Sequence, residues 1–184
     1  MNAAPTTSQR PLGAEHLLVF RLDDDRYALN ASAVLRVTWA VRITRLPVAP
    51  EVVLGVIDVA GRVLPVVDTR QRFGLPRRDL LVSDNLIIAR TSRRQLVLAV
   101  DQVDGVIEYP EEKVQAAPEI VPGTDYVRGV AKLADGLVLI HDLDTFLSLD
   151  EEQSLDRALE LSLDRQEPEG GGDPGGAGGG DDAQ

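Results

Sequence analysis

An all-β protein closed by a single C-terminal helix is predicted, on three observations. Short β-branched runs alternate with Gly, Pro and Asp turns, and no segment between them is long enough to be a crossover helix, which favours small barrels over a parallel sheet. The stretch from Gly55 to Asp68 reads as a hairpin, two nearly continuous apolar strands, Val53 to Val59 and Val63 to Val67, turning at Ala60-Gly61. Gly61 takes a positive φ there without steric cost, and unbroken apolar runs predict strands buried on both faces. That phrase also returns: Gly129 to Asp142 matches it with an offset of 129 − 55 = 74, while Arg21 to Leu29 lines up with Arg90 to Leu98 at 90 − 21 = 69. A repeat this long exceeds a solenoid unit, so it predicts two similar β modules packed together, five strands in each.

The elements follow in order. Residues 1–14 carry no periodicity and read as a disordered arm. His16 to Leu22 is a first strand, turned by Asp23-Asp24-Asp25 into a second at Tyr27 to Asn30. Three adjacent aspartates do not make a Ca²⁺ loop, which needs alternating oxygens and a distal Glu. Ala31 to Trp39 gives a third strand, and Pro47 and Pro50 bracket a rigid turn before the hairpin. Asp68 caps a helical turn at Thr69 to Phe73, which Gly74 and Pro76 stop, and Asp142, at the equivalent strand end, caps the turn that opens at Leu143. Residues 77–84 link the halves, and the plan repeats through Leu86 to Arg90, Leu96 to Val100, Val103 to Ile107 and the second hairpin. Ser148-Leu-Asp-Glu151 is a capping box that opens a helix over residues 149–165, with Leu149, Leu155, Leu159 and Leu163 near one stripe. Residues 166–184 contain only Gly, Asp, Glu, Pro, Ala and Gln and read as a disordered acidic tail.

Composition narrows the function classes. With 184 residues, 43% hydrophobic and only 4% aromatic, the chain builds one ordinary domain whose core is Val, Leu and Ile. It has no cysteine, which removes disulfides, thiolate metal sites and a Cys nucleophile and suits a reducing cytoplasm. No stretch approaches the ~20 apolar residues of a membrane span, so a cytoplasmic location without membrane insertion is expected. The net charge of −11 is uneven: from Asp150 onward 11 acidic and 2 basic residues give −9, whereas Arg26 to Arg94 holds 12 Arg against 5 Asp or Glu, or +7.

Catalytic constellations are missing. His16 and His141 stand alone, outside any metal-ligand spacing, and His141 occupies the position of Val67 in the other repeat, so a packed imidazole is expected. There is no nucleophile elbow, Walker loop or dinucleotide fingerprint. The Arg-rich 26–94 segment leaves open a nucleic-acid-binding small barrel, but stacking platforms are lacking, because Tyr27, Trp39 and Phe73 are scattered.

Phe20-Arg-Leu with Tyr27-Ala-Leu, Ile43-Thr-Arg-Leu-Pro, Pro50 to Asp68, Val100-Asp101 with Val103, Ala117-Pro118 and Gly129 to Asp142 together resemble the CheW-like family of chemotaxis coupling proteins, over about residues 15–149. The resemblance implies two five-stranded SH3-like β-barrels, halves of roughly 15–80 and 81–149, with strand exchange between them left open. It also implies no catalysis and no cofactor. The implied role is an adaptor between methyl-accepting chemoreceptor tips and the regulatory domain of a CheA-type histidine kinase, with no nucleic acid as partner. Two positions depart from the family pattern. Its Asn-Leu-Arg-Gly turn is Asp58-Val-Ala-Gly61 here, with Ala60 in the arginine's place and Arg62 two residues on, and its Val-x-Glu-Val is Val34-Leu-Arg-Val37, with Arg36 replacing a carboxylate. The resemblance assigns kinase contact to Val34, Arg36 and Ile43, with Val63 nearby, and receptor contact to a groove of Ala60, Arg62, Val63, Ile87, Ile88 and Val103; Trp39 joins the kinase contact as a candidate hot spot, because an indole beside Arg36 supplies much contact area at little entropic cost. For Trp39, Val34, Ile43 and Val63 the residues alone leave core packing open as the other reading.

Overall fold

A computed structural model describes residues 13–116 and 126–164. The expected arm before residue 13, the Ala117-Pro118 motif and the acidic tail lie outside the described residues. Among the described residues eleven strands run in order: β1 Ala14–Leu22, β2 Asp25–Asn30, β3 Val34–Trp39, β4 Val53–Val59, β5 Arg62–Asp68, β6 Asn85–Arg90, β7 Gln95–Val100, β8 Gln102–Pro110, β9 Gln115–Ala116, β10 Val127–Leu133 and β11 Gly136–His141. Helix α1, Thr69–Arg72, follows β5, and helix α2, Leu149–Asp164, follows β11. A single 3-10 turn, Ala31–Ala33, separates β2 from β3, because the Asn30 side chain accepts from the Ser32 amide and breaks the strand predicted there.

Two sheets form, β8-β1-β2-β11-β10-β9 and β3-β6-β7-β5-β4. Each draws strands from both halves of the sequence, and each contains one parallel pair, β2 with β11 and β5 with β7. The ladders stay open, with five and six strands where five and five were expected, the sixth being the two-residue β9.

The internal repeat is present in space. Hairpin β1–β2 corresponds to β6–β7, hairpin β10–β11 to β4–β5, and the parallel pairings correspond as well. Both hairpins carry a register shift at their glycine, between Val53 and Gly55 and between Val127 and Gly129. In both a passing strand lies on that glycine: a Cβ on Gly55 would stand 2.2 Å from the Thr44 carbonyl oxygen, and one on Gly129 would stand 2.7 Å from that of Gln115.

Three apolar clusters fill the molecule. One lies on the face of the six-stranded sheet that carries Leu17, Val19, Ala28 and Ile140, and another on the face of the five-stranded sheet that carries Ile57, Val66, Leu86 and Ile88. The largest is shared, joining Phe20, Leu29, Ile87 and Leu98 to Phe146 and to Leu155 and Ala158 of α2. Helix α2 opens as predicted, the Glu151 amide donating to Ser148 Oγ at 3.2 Å and the Ser148 amide to Glu151 Oε2 at 2.8 Å. Its buried stripe differs at three positions: Leu149 is exposed, while Ala158 and Glu152, the latter paired with Arg94 at 2.6 Å, are buried; the side chain of Leu163 lies outside the described residues. The aspartate caps also form, Asp68 accepting from the Gln71 amide at 3.0 Å and Asp142 from the Asp144 amide at 2.9 Å.

Candidate protein-docking site

Among the described residues strand β3 pairs only with β6, at an edge of the five-stranded sheet. A bulge between Val34 and Arg36 bends it, and beyond the bulge Val37 and Trp39 share one face by the strand's period of two. Both are exposed, Trp39 by 66%, with Leu35 exposed before them and Val41 after. Trp39 is therefore not a core residue. Val34 is half-buried against the shared core. Arg36 is exposed, and no carboxylate among the described residues pairs with it. Trp39 stands opposite Asn85, whose Oδ1 accepts from the Val103 amide at 2.8 Å, and the Ala40 amide donates to the Asp84 carbonyl at 2.9 Å. The end of β3 thus lies where the two sheets meet. The exposed Leu81 and Val82 lie on the link that reaches the same point, Leu81 accepting from the Asp84 amide. An edge strand carrying a large exposed aromatic and no protecting Pro or Lys invites pairing with another protein.

The tip of the β4–β5 hairpin lies at the other edge of that sheet. Ala60 and Gly61 both take left-handed conformations, φ 53° and 81°, which gives the hairpin a tight primed turn, and Asp58 Oδ1 accepts from the Gly61 amide at 2.8 Å. Ala60, Arg62 and Val63 are exposed there. Ile43 is half-buried against the core of the five-stranded sheet and lies over Gly55, near the start of β4 rather than at the tip. The predicted receptor groove does not assemble as one surface. Ile87 and Ile88 lie in the middle of β6, 0% and 4% exposed, each facing a different apolar cluster, so neither offers a surface to a partner. Val103 is half-buried on β8, in the other sheet.

Sequence reasoning missed a charge network beside these surfaces. Arg70 is 8% exposed and donates to Asp23 at 2.7 Å, to Asp101 at 2.9 Å and to the Pro76 carbonyl at 3.0 Å. Arg78 donates to both oxygens of Asp84, at 2.8 and 2.9 Å, and to Asp101 at 2.5 Å. The Arg70 hydrogen bond holds Asp23 below the usual carboxylate range. The link has a counterpart in the other repeat: the offsets take Arg70 to 70 + 74 = 144 and Asp23 to 23 + 69 = 92, and Asp144 accepts from the Ser92 amide at 2.5 Å. His141 packs as expected, its ring stacked 4.1 Å from Phe73 and its Nδ1 3.2 Å from the Tyr126 carbonyl, which places the proton on Nδ1. Burial pushes it down to about 4.

The CheW-like domain model matches residues 16–151. The chain belongs to the CheW-like domain family. It is 29% identical over 144 residues to the chemotaxis protein CheW of Rhizobium meliloti (strain 1021), covering 77% of this chain and 93% of that protein. With the chemotaxis protein CheW of Bacillus subtilis (strain 168) it shares 28% over 142 residues, 76% of this chain and 91% of that one. Among solved structures, the scaffolding protein TtCheW from Thermoanaerobacter tengcongensis matches with a TM-score of 0.69 and 30% identity, covering 74% of this chain and 94% of that chain. The fold is thus the two-subdomain, SH3-like β architecture of the CheW family, and the chain is a chemotaxis scaffold of the CheW type.

Proposed function

We propose that this CheW-like chain is a non-catalytic adaptor that couples chemoreceptor tips to the regulatory domain of a CheA-type histidine kinase. The observation that carries the reading is the unpaired β3 edge with Trp39 and Val37 exposed on one face. Indole offers a large, rigid contact area at little entropic cost, which suits a docking hot spot. The kinase contact is Val34, Arg36 and Trp39, extended by Leu81 and Val82. Arg36 in place of the family's acid calls for a kinase surface that supplies a carboxylate there. The receptor contact is the hairpin tip, Ala60, Arg62 and Val63, with Val103 on the neighbouring sheet, and the half-buried Ile43 is kept with the kinase contact. Ile87 and Ile88 support these surfaces from inside.

Half of the twelve arginines in the basic segment are compensated within the chain. Of its arginines, Arg26, Arg70, Arg72, Arg77, Arg78 and Arg94 all pair with carboxylates of this chain. The test is reconstitution of receptor-containing vesicles with the kinase. Adding the chain should bring kinase activity under receptor control, and Val37→Asp should abolish that control. Control that persists with Val37→Asp would overturn the β3 assignment.

A further inference from the structure

Residues 77–84 carry no helix or strand, yet one buried acid ties them down. Asp84 is 3% exposed at the foot of β6. Arg78 donates to both of its carboxylate oxygens, at 2.8 and 2.9 Å, and the Leu81 amide donates to Oδ2 at 2.8 Å. The Asp84 amide donates to the Leu81 carbonyl at 3.0 Å, and the Asp84 carbonyl accepts from the amide of Ala40, the residue after Trp39, at 2.9 Å. Arg78 is anchored in turn on Asp101 at 2.5 Å and on the Asp79 carbonyl at 2.9 Å. Residues 78–84 thus close into a loop fastened to the end of β3. That loop carries Leu81, 53% exposed, and Val82, 89% exposed. A partly buried bidentate pair supplies geometry more than stability, because desolvation of both charges offsets much of their attraction. Holding large aliphatic side chains in water does not stabilise the fold either, and it marks a surface meant for contact. The internal repeat provides a comparison. Its offset takes Asp84 to 84 − 69 = 15, and Glu15 likewise accepts from both arms of one arginine, Arg128. Arg128 lies on β10 of the same sheet as Glu15, so that pair ties strand to strand. Of the two pairs, only the one at Asp84 is spent on a loop with apolar residues at its crest.

We propose that Asp84, acting through Arg78 and the Leu81 amide, is a positioning residue for docking: it holds Leu81 and Val82 as a preformed apolar knob beside the end of β3, and an apolar recess on the kinase regulatory domain receives that knob. The knob continues the exposed β3 edge, since Asn85, the residue after Asp84, stands opposite Trp39 in the ladder. Because the loop is ordered before binding, the complex is spared the entropy of fixing its backbone and two side chains. The identity of the partner rests on the kinase reading of β3 above.

The test is a calorimetric titration of the full chain with the kinase regulatory domain, beside amide exchange of the free chain. Arg78→Gln should bind about tenfold more weakly, and its Leu81 and Asp84 amides should exchange about tenfold faster while those in the middle of β6 and β7 keep their native rates. Arg128→Gln, which breaks the counterpart pair, should keep native affinity, whereas a general weakening of the fold would lower both. Leu81→Ser with Val82→Ser should weaken binding about tenfold or more, and adding Arg78→Gln to that pair should weaken it no further, because the arginine acts through those two residues. Should Arg78→Gln fail to fold, Arg78→Lys, which keeps the charge and loses the fork, takes its place in each comparison. Equal losses for Arg78→Gln and Arg128→Gln, or a further loss on adding Arg78→Gln to the two serines, would overturn the proposal. Native affinity for Arg78→Gln would also overturn it, and Trp39→Ala then separates the two readings. If Trp39→Ala binds weakly, β3 remains the kinase edge and the positioning role falls alone; if it binds as the native chain does, the kinase reading of β3 falls as well.

Discussion

Val48 is the most strained side chain among the described residues: β-branched, 75% exposed and held at φ 55° between Pro47 and Pro50. A left-handed conformation at such a residue costs on the order of 1–2 kcal/mol, because Cβ crowds the following carbonyl. Val48→Asn keeps the turn and relieves that cost, so thermal unfolding should move up by about 2–4 °C. A fall in melting temperature would mean that Val48 packs against something the strain serves. His141 gives a second test at this scale. The folded chain keeps the ring neutral down to about 4, whereas an unfolded chain titrates near 6.5, so between those values the unfolded state binds more protons. Stability is therefore fully present above 6.5 and is lost as pH falls toward 4, by at most about 3 kcal/mol. Denaturant midpoints measured across that range should slope for the native chain and flatten for His141→Leu. Equal slopes would assign the pH dependence to the carboxylates instead.

At the scale of elements, the two hairpins depend on backbone crossings that only glycine permits. Gly55 sits at φ 148° with the Thr44 carbonyl where a Cβ would be, so Gly55→Ala must push Thr44 away and break its mutual backbone bonds with Val56, at 2.8 and 2.9 Å. A loss of about 3 kcal/mol or more in chemical denaturation is expected, from overpacking and backbone strain together. A loss under about 1 kcal/mol would show that the crossing is not rigid. These hairpins were legible in the sequence, as were the Asp68 and Asp142 caps and the Ser148–Glu151 box, because each is written within a few adjacent residues. The pairing of β2 with β11 and β5 with β7 was not, since a strand's period tells which faces are apolar but not which strand lies alongside. The same limit misplaced Ile87 and Ile88: an apolar run buried on both faces looks in sequence like one that presents a side to a partner. It also left Trp39 undecided, because a lone aromatic at the end of a strand carries no pattern to fix its exposure.

At the scale of the whole molecule, strand exchange makes the two sheets one unit. The chain passes from the first sheet to the second after β2 and returns after β7, and the Arg70 and Arg78 network joins the β1–β2 turn, α1 and the end of β7 around that crossing. A rigid body of this kind suits an adaptor, whose two partners must be held at a fixed geometry, and it sets the β3 edge and the hairpin tip at opposite edges of one sheet. The arrangement also explains why the charge network was invisible in sequence: Asp23 and Asp101 are 78 residues apart and meet on Arg70 only once the sheets have formed. The proposed adaptor role turns on β3 as the kinase-facing edge. Its sharpest test is a calorimetric titration of the purified chain, native and Trp39→Ala, with the regulatory domain of the CheA-type kinase from the same genome. The native chain should bind, and Trp39→Ala should bind about 30-fold more weakly or worse, a hot-spot loss of about 2 kcal/mol, while melting within about a degree of the native chain. Equal affinity for the two chains would contradict the account.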